Sequence, residues 1–219
     1  MKLILIRHGK TEANEKHLYC GSTDLPLSEG GKSELTERKN SVKYPFIDGF
    51  RILTSGMRRC EETLIILFGD IPHDTDTAFR EMDFGAFEMR SYEEMKNNPD
   101  YIAWITGDNE ANVTPGGESG NLMTVRVLEG LKRLIADGRD TLIVTHGGVI
   151  AAVMAYLFAA EGKNRYEWQP KPGGGYVIDV TKKQYMALLQ TACGISLSHR
   201  LFFSIRFLFA PQCRRQRDA

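Results

Sequence analysis

Two stretches of this chain end in the same way, and nothing else in the sequence constrains the fold as strongly. Leu3-Ile4-Leu5-Ile6 runs into Arg7-His8-Gly9, and Leu142-Ile143-Val144-Thr145 runs into His146-Gly147-Gly148. A short, continuous apolar run suits a strand covered on both faces, as in a parallel sheet between helical layers. A third run, Arg51–Thr54, leads into Ser55 and then Arg58 and Arg59. In open α/β sheets, ligands collect beyond the carboxyl ends of the strands. These three ends therefore bring two imidazoles and two or more guanidiniums around one crevice. The glycines after each His let backbone and ligand approach closely.

The remaining pattern alternates helix with strand. Ser28 is a plausible N-cap for a helix to about Lys43, and residues 57–68 read as another helix, stopped near Gly69. Residues 77–90 read as a short strand and an irregular loop. Residues 92–106 look helical with a break near Pro99, and 107–117 is a polar loop. A helix from about Ser119 to Ala136 carries Leu122, Val125, Leu128, Leu131 and Ile135 at spacings of three and four, an apolar stripe expected to face the core. An apolar helix follows from Val149 to Ala160. Strands close the pattern after Gly173-Gly174-Gly175 and at 184–189. The expected fold is an α/β three-layer sandwich: a mainly parallel sheet, helices on both faces, and a small helical insertion at 84–117 over the crevice.

Composition removes several classes. Acidic and basic residues balance at 28 each, so bulk charge argues for neither nucleic acid nor a membrane surface. Cys20, Cys60, Cys193 and Cys213 are scattered, with no CxxC pair, which speaks against a zinc site or a disulfide framework. The apolar run at the start is too short for a signal peptide, and no stretch has the length of a membrane span. A cytoplasmic location follows as an expectation, with a homodimer left open.

The crevice suits a phosphoryl group. Guanidinium matches phosphate in bidentate geometry and keeps its charge. A neutral imidazole is a competent nucleophile toward phosphorus. A second imidazole, if protonated, can donate to oxygens on which charge accumulates. Nothing resembles a Walker loop or a carboxylate-rich magnesium site, so neither a metal nor a cofactor is expected.

In its motifs the chain resembles the histidine phosphatase superfamily, which includes cofactor-dependent phosphoglycerate mutases. LILIRHGKTEAN resembles the family's opening strand and RHG motif. YCGSTDLPLSEGG is similar to its G-x-x-D-x-x-L-S-x-x-G stretch. TSGMRRCEET is similar to S-x-L-x-R-A-x-x-T, with Met57 and Cys60 as departures, and makes Arg59 rather than Arg58 the pocket arginine. REMDFGAFEM is similar to E-x-x-x-G-x-W-E-G, with Phe87 in the tryptophan position and Met89 in place of the last glycine. PGGES and VTHGGVI complete the set. The resemblance implies that His8 attacks phosphorus while Glu81 protonates the leaving oxygen and later activates water. It assigns Arg7, Arg59 and His146 to the phosphoryl oxygens, and places Asn14, Cys20, Gly21 and Gly147 along the substrate pocket. General-acid work near neutral pH asks for a desolvated carboxyl, and Phe84 and Phe87 are the expected source. Tyr101, Trp104 and Ile105 read either as a substrate lid or as the packed face of a small helix. His17 and His73 read as surface residues.

A mutase of this type keeps water from the phosphohistidine with a longer insertion between the carboxylate and the second His. Here 65 residues separate Glu81 from His146, which looks phosphatase-like. Among phosphatases the resemblance runs to those acting on α-ribazole phosphate in cobalamin assembly; broad-specificity sugar-phosphate or nucleotide phosphatases and the mutases are the alternatives. The implied partner is a small-molecule phosphomonoester. The motifs place a single domain at residues 1–190, and the resemblance stops at about Thr191. The tail, 191–219, has five Arg and one Asp, a formal +4 against −4 for the preceding residues. With its apolar block Leu201–Ala210, it reads as a packed helix, a membrane-touching segment, or a poorly folded end such as an altered reading frame produces.

Overall fold

The structure is a computed structural model that describes residues 1–108 and 110–188. The opening apolar run forms β1 (Lys2–Arg7), with Leu3 to Ile6 at most 1% exposed. A single turn, α1 (Glu12–Glu15), precedes α2 (Glu29–Ser41), whose N-terminus is capped by the Ser28 hydroxyl accepting from Gly31 N–H at 2.9 Å. Then come β2 (Arg51–Thr54), α3 (Arg58–Phe68) and the short β3 (Asp74–Thr75). The insertion holds α4 (Tyr92–Met95) and α5 (Pro99–Thr106). It is followed by α6 (Gly120–Asp137), β4 (Thr141–Thr145), α7 (Gly147–Leu157), α8 (Arg165–Trp168), β5 (Gly175–Asp179) and β6 (Gln184–Ala187).

The strands form one sheet in the order β3-β2-β4-β1-β5-β6. The first four run parallel, and β5 is reversed between β1 and β6. Alternate side chains of each strand enter opposite cores, as strand pleating requires. Leu3, Leu5, Leu53 and Ile143 pack with Val127 and Leu131 of α6 and Val149 and Val153 of α7. Ile4, Ile6, Ile52, Leu142 and Val144 pack with Leu35 of α2 and Cys60, Leu64 and Leu67 of α3. This is the three-layer sandwich the apolar runs imply.

Register then does the work of convergence. Arg7 pairs with Thr145 across β1 and β4, so His8 and His146 emerge side by side as the next residue on each strand. His8 N–H donates to Thr145 O at 2.9 Å, which holds that level. Thr54 of β2 pairs with Val144, which puts Ser55 beside them.

Three local expectations are corrected. The stripe on α6 is rotated: Leu122 and Val125 are more than half exposed, whereas Met123, Val127, Gly130, Leu131 and Leu134 face the core. Gly130 permits a close approach on that face: an added Cβ would come within 3.0 Å of Ala78 and Phe79. The helix lies against the 77–79 turn along its smallest residue. Between 77 and 90 there is no strand among the described residues; two 3₁₀ turns, Thr77–Phe79 and Gly85–Phe87, carry the chain, and the strand lies earlier, at β3. Helix α7 begins at Gly147 rather than Val149, with His146 as its N-cap residue. No helix among the described residues is long and apolar enough to cross a membrane. The expectations for 191–219 lie outside the described residues.

Candidate active site

His8 is 6% exposed, and its ring lies 5.1 Å from that of His146, centroid to centroid. Its Nδ1 is 2.6 Å from the Gly9 carbonyl oxygen. A carbonyl only accepts, so Nδ1 carries the proton and Nε2 keeps the lone pair. Burial, with Arg59 and Arg7 adding to it, holds the His8 imidazole well below its usual pKa, against the opposing pull of the Gly9 carbonyl. His8 is thus a neutral ring with a fixed tautomer, the form a nucleophile needs.

Two guanidiniums flank it. Arg59 is 1% exposed; its Nη1 donates to Thr23 O at 2.8 Å, Nη2 to Gly21 O at 2.6 Å, and Nε to His146 Nδ1 at 3.3 Å. Arg58, one residue earlier, points to solvent, with Glu62 3.9 Å away. The first turn of α3 thus sends one arginine inward and its neighbour out. Arg7 donates from Nη1 to Pro170 O at 2.9 Å, and its Nε is buried with no hydrogen-bond partner among the described residues. Burial lowers its pKa from the usual value, and the Glu81 charge opposes that shift.

His146 is fully buried, and both ring nitrogens are engaged. Nδ1 accepts from Arg59; Nε2 lies 2.9 Å from Ser55 Oγ and 3.7 Å from Cys60 Sγ. Because Arg59 only donates, the ring proton sits on Nε2. Burial, then Arg59, His8 and Arg7, hold His146 well below its usual pKa. A protonated His146 is therefore not the form these surroundings favour, and the positive charge of the crevice rests on the two arginines.

Glu81 faces this group at the start of α7. Its Oε2 accepts from Gly148 N–H at 3.0 Å and its Oε1 from Met82 N–H at 3.1 Å. The paired glycines have separate reasons. A Cβ on Gly147 would press the Arg7 guanidinium at 3.2 Å, and one on Gly148 would fall 2.4 Å from Glu81 Oε1. Gly148→Ala is accordingly expected to keep the fold and displace the Glu81 carboxylate; a melting curve read beside a structure of the variant checks it.

A family model described as histidine phosphatase superfamily (branch 1) matches residues 3–191. The chain belongs to the histidine phosphatase superfamily. It is 32% identical over 186 residues to the adenosylcobalamin/α-ribazole phosphatase of Salmonella typhimurium, covering 82% of this chain and 91% of that one. Its fold matches the α-ribazole phosphatase of Shigella flexneri with a TM-score of 0.74 and 28% identity, over 90% of this chain and all of that one (100%). The phosphoglycerate mutase of Thermus thermophilus follows at a TM-score of 0.67 and 26% identity, covering 86% and 99%.

For this member of the superfamily, a cavity of about 480 Å³ adjoins the crevice, with Glu81 and Gly148 on its wall beside Tyr19, Cys20, Phe84 and Trp104. Burial pushes the Cys20 thiol up from its ordinary pKa. Asn14 and Gly21 do not line that cavity. Asn14 Oδ1 accepts from Thr11 N–H at 3.0 Å and caps α1. Gly21 is a glycine for steric reasons, since a Cβ there would sit 1.6 Å from Met82 O. Phe84 shares the cavity wall with Glu81, whereas Phe87 packs into the core against Tyr101 and Trp104. Tyr101 is packed face, Ile105 lines the cavity, and Trp104 does both.

Two residues around this group were not singled out in the sequence: Thr23, whose carbonyl accepts from Arg59, and Glu88, whose carboxylate accepts from the Gly21 and Thr23 amides. Ser55 was visible at a strand end, but its bond to His146 spans 91 positions. His73 is less of a surface residue than its loop suggested. Its Nε2 lies 2.6 Å from Glu61, and its pKa is raised, first by the Ile71 carbonyl and against partial burial by Glu61. His17 is exposed.

Proposed function

We propose that this chain is a phosphomonoesterase that carries its phosphoryl group on His8 Nε2. The observation that supports this most is the His8 tautomer: Nδ1–H donates to the Gly9 carbonyl, which leaves the lone pair on Nε2 of a ring that feels the charge of both Arg59 and Arg7. In the first step Nε2 bonds to phosphorus, the ester P–O bond breaks, and Glu81 in its acid form gives its proton to the departing oxygen. In the second step Glu81 takes a proton from water, the oxygen attacks phosphorus, and the N–P bond breaks to release phosphate. Arg7 and Arg59 offset the charge that gathers on the phosphoryl oxygens.

The proposed substrate is a small-molecule phosphate, with α-ribazole 5′-phosphate first. The aromatic wall of Tyr19, Phe84 and Trp104 suits a leaving alcohol that carries a flat ring system, and about 480 Å³ is ordinary for a small-molecule site. The likeness to the two α-ribazole phosphatases supports the same choice. The two guanidiniums supply the cationic charge at the phosphoryl group, and the reaction we propose is metal-independent.

A panel of phosphomonoesters, labelled in phosphorus and assayed with and without EDTA, tests this reading. The expected outcome is a burst of labelled protein, release of label to water, α-ribazole 5′-phosphate as the preferred ester, and no effect of EDTA. Transfer of label to an added alcohol acceptor would instead favour a mutase. Activity lost to EDTA and restored by a divalent ion would end the metal-independent reading.

A further inference from the structure

We propose that Glu88 is a positioning residue for the phosphoryl site, holding the Arg59 fork in place through a single peptide plane. The proposal rests on Arg59 being a phosphoryl ligand, as set out above. The Glu88 carboxylate touches neither His8 nor Arg59 through any hydrogen bond among the described residues. It accepts instead from Gly21 N–H at 2.9 Å, Ser22 N–H at 2.9 Å, Thr23 N–H at 3.2 Å and Phe84 N–H at 3.0 Å, and from the Thr23 hydroxyl at 2.6 Å. Three successive amides wrapped around one anion form a nest.

The geometry of the peptide carries this order onward. The bond joining Gly21 to Ser22 is trans, so its N–H and C=O point in opposite directions. Its N–H goes to Glu88, and its C=O accepts from Arg59 Nη2 at 2.6 Å. Two residues on, the Thr23 carbonyl accepts from Arg59 Nη1 at 2.8 Å. A negative charge on the N–H side of a peptide polarises it and makes its oxygen a stronger acceptor. Asp24 anchors the far end of the loop by accepting from Arg58 N–H at 2.8 Å, at the start of the helix that bears Arg59.

The indirect arrangement has a chemical reason. A carboxylate placed directly on Arg59 would take the parallel N–H pair that recognises phosphate. At one peptide's remove, Glu88 supplies the opposing charge and leaves the fork open. Of the five N–H donors on Arg59, Thr23, Gly21 and His146 each take one, which leaves two for a phosphoryl group. Gln at position 88 would turn an NH2 toward amides that themselves donate, so the loop and its carbonyls would shift while Arg59 stays intact.

The test is a double-mutant cycle read by calorimetric titration with inorganic phosphate, using wild type, Glu88→Gln, Arg59→Ala and the double variant. The expected result is binding about tenfold weaker in Glu88→Gln, the size of one charge-assisted hydrogen bond, and no further loss when Glu88→Gln is added to Arg59→Ala. Additive losses, or unchanged phosphate affinity in Glu88→Gln, would overturn the positioning role while leaving the phosphatase reading in place. A wild type that binds no phosphate would overturn both. If Glu88→Gln does not fold, Thr23→Val decides. It removes one donor to Glu88 and keeps every amide, so a smaller loss that vanishes on the Arg59→Ala background is expected, and an additive one contradicts the proposal.

Discussion

His8→Ala is expected to lose turnover on the order of 10⁴-fold or more, the scale on which nucleophile deletions are felt, and to take up no label from a phosphorus-labelled substrate. The magnitude follows from how little else in the crevice can attack phosphorus. His146 has both nitrogens committed, Nδ1 to Arg59 and Nε2 to Ser55. Cys60 is sealed in the core, with burial pushing its thiol up to about 12. Cys20 lines the cavity, but its thiol is also raised by burial and carries little thiolate. The fold should survive, because His8 belongs to neither of the two hydrophobic cores. Stoichiometric label on His8→Ala, measured by rapid quench, would show that another residue is the nucleophile.

Glu81→Gln is expected to slow alkyl phosphates by roughly 10²- to 10⁴-fold, the usual range of general acid–base catalysis, and to slow nitrophenyl phosphate far less. An alkoxide needs a proton as it departs, whereas nitrophenolate leaves without one. Glutamine fills the same space, but its amide cannot give up a proton in this way. It would also oppose one NH2 hydrogen to the Gly148 or Met82 N–H that now donates to the carboxylate. A plot of log kcat against leaving-group pKa should therefore steepen in the variant. Equal slowing across the series would remove Glu81 from the acid role and leave it as a structural partner of Gly148.

Much of this arrangement was legible in the chain itself. The strand-His-Gly repetition was readable because a parallel sheet demands short apolar runs, and because register makes the residue after each run a neighbour of its counterpart. Arg59 was separable from Arg58 by motif alignment alone; the helix shows the physical basis, since one faces Gly21 O and Thr23 O and the other faces water. The α6 stripe was misread because periodicity counts apolar residues and does not register that a glycine permits the closest approach. Gly130 faces Ala78 and Phe79, and Leu122 and Val125 lie outside. Glu88 was passed over because the Gly21, Ser22 and Thr23 amides it accepts from lie 65 to 67 positions away, in a loop whose amides leave no side-chain signature.

The most direct measurement is an experimental structure with orthovanadate soaked into the site. The account predicts vanadium bonded to His8 Nε2, with its oxygens held by Arg7 and Arg59 and one of them within hydrogen-bond reach of Glu81. Vanadate seated elsewhere, or an Nε2 of His8 turned away from both guanidiniums, would contradict it.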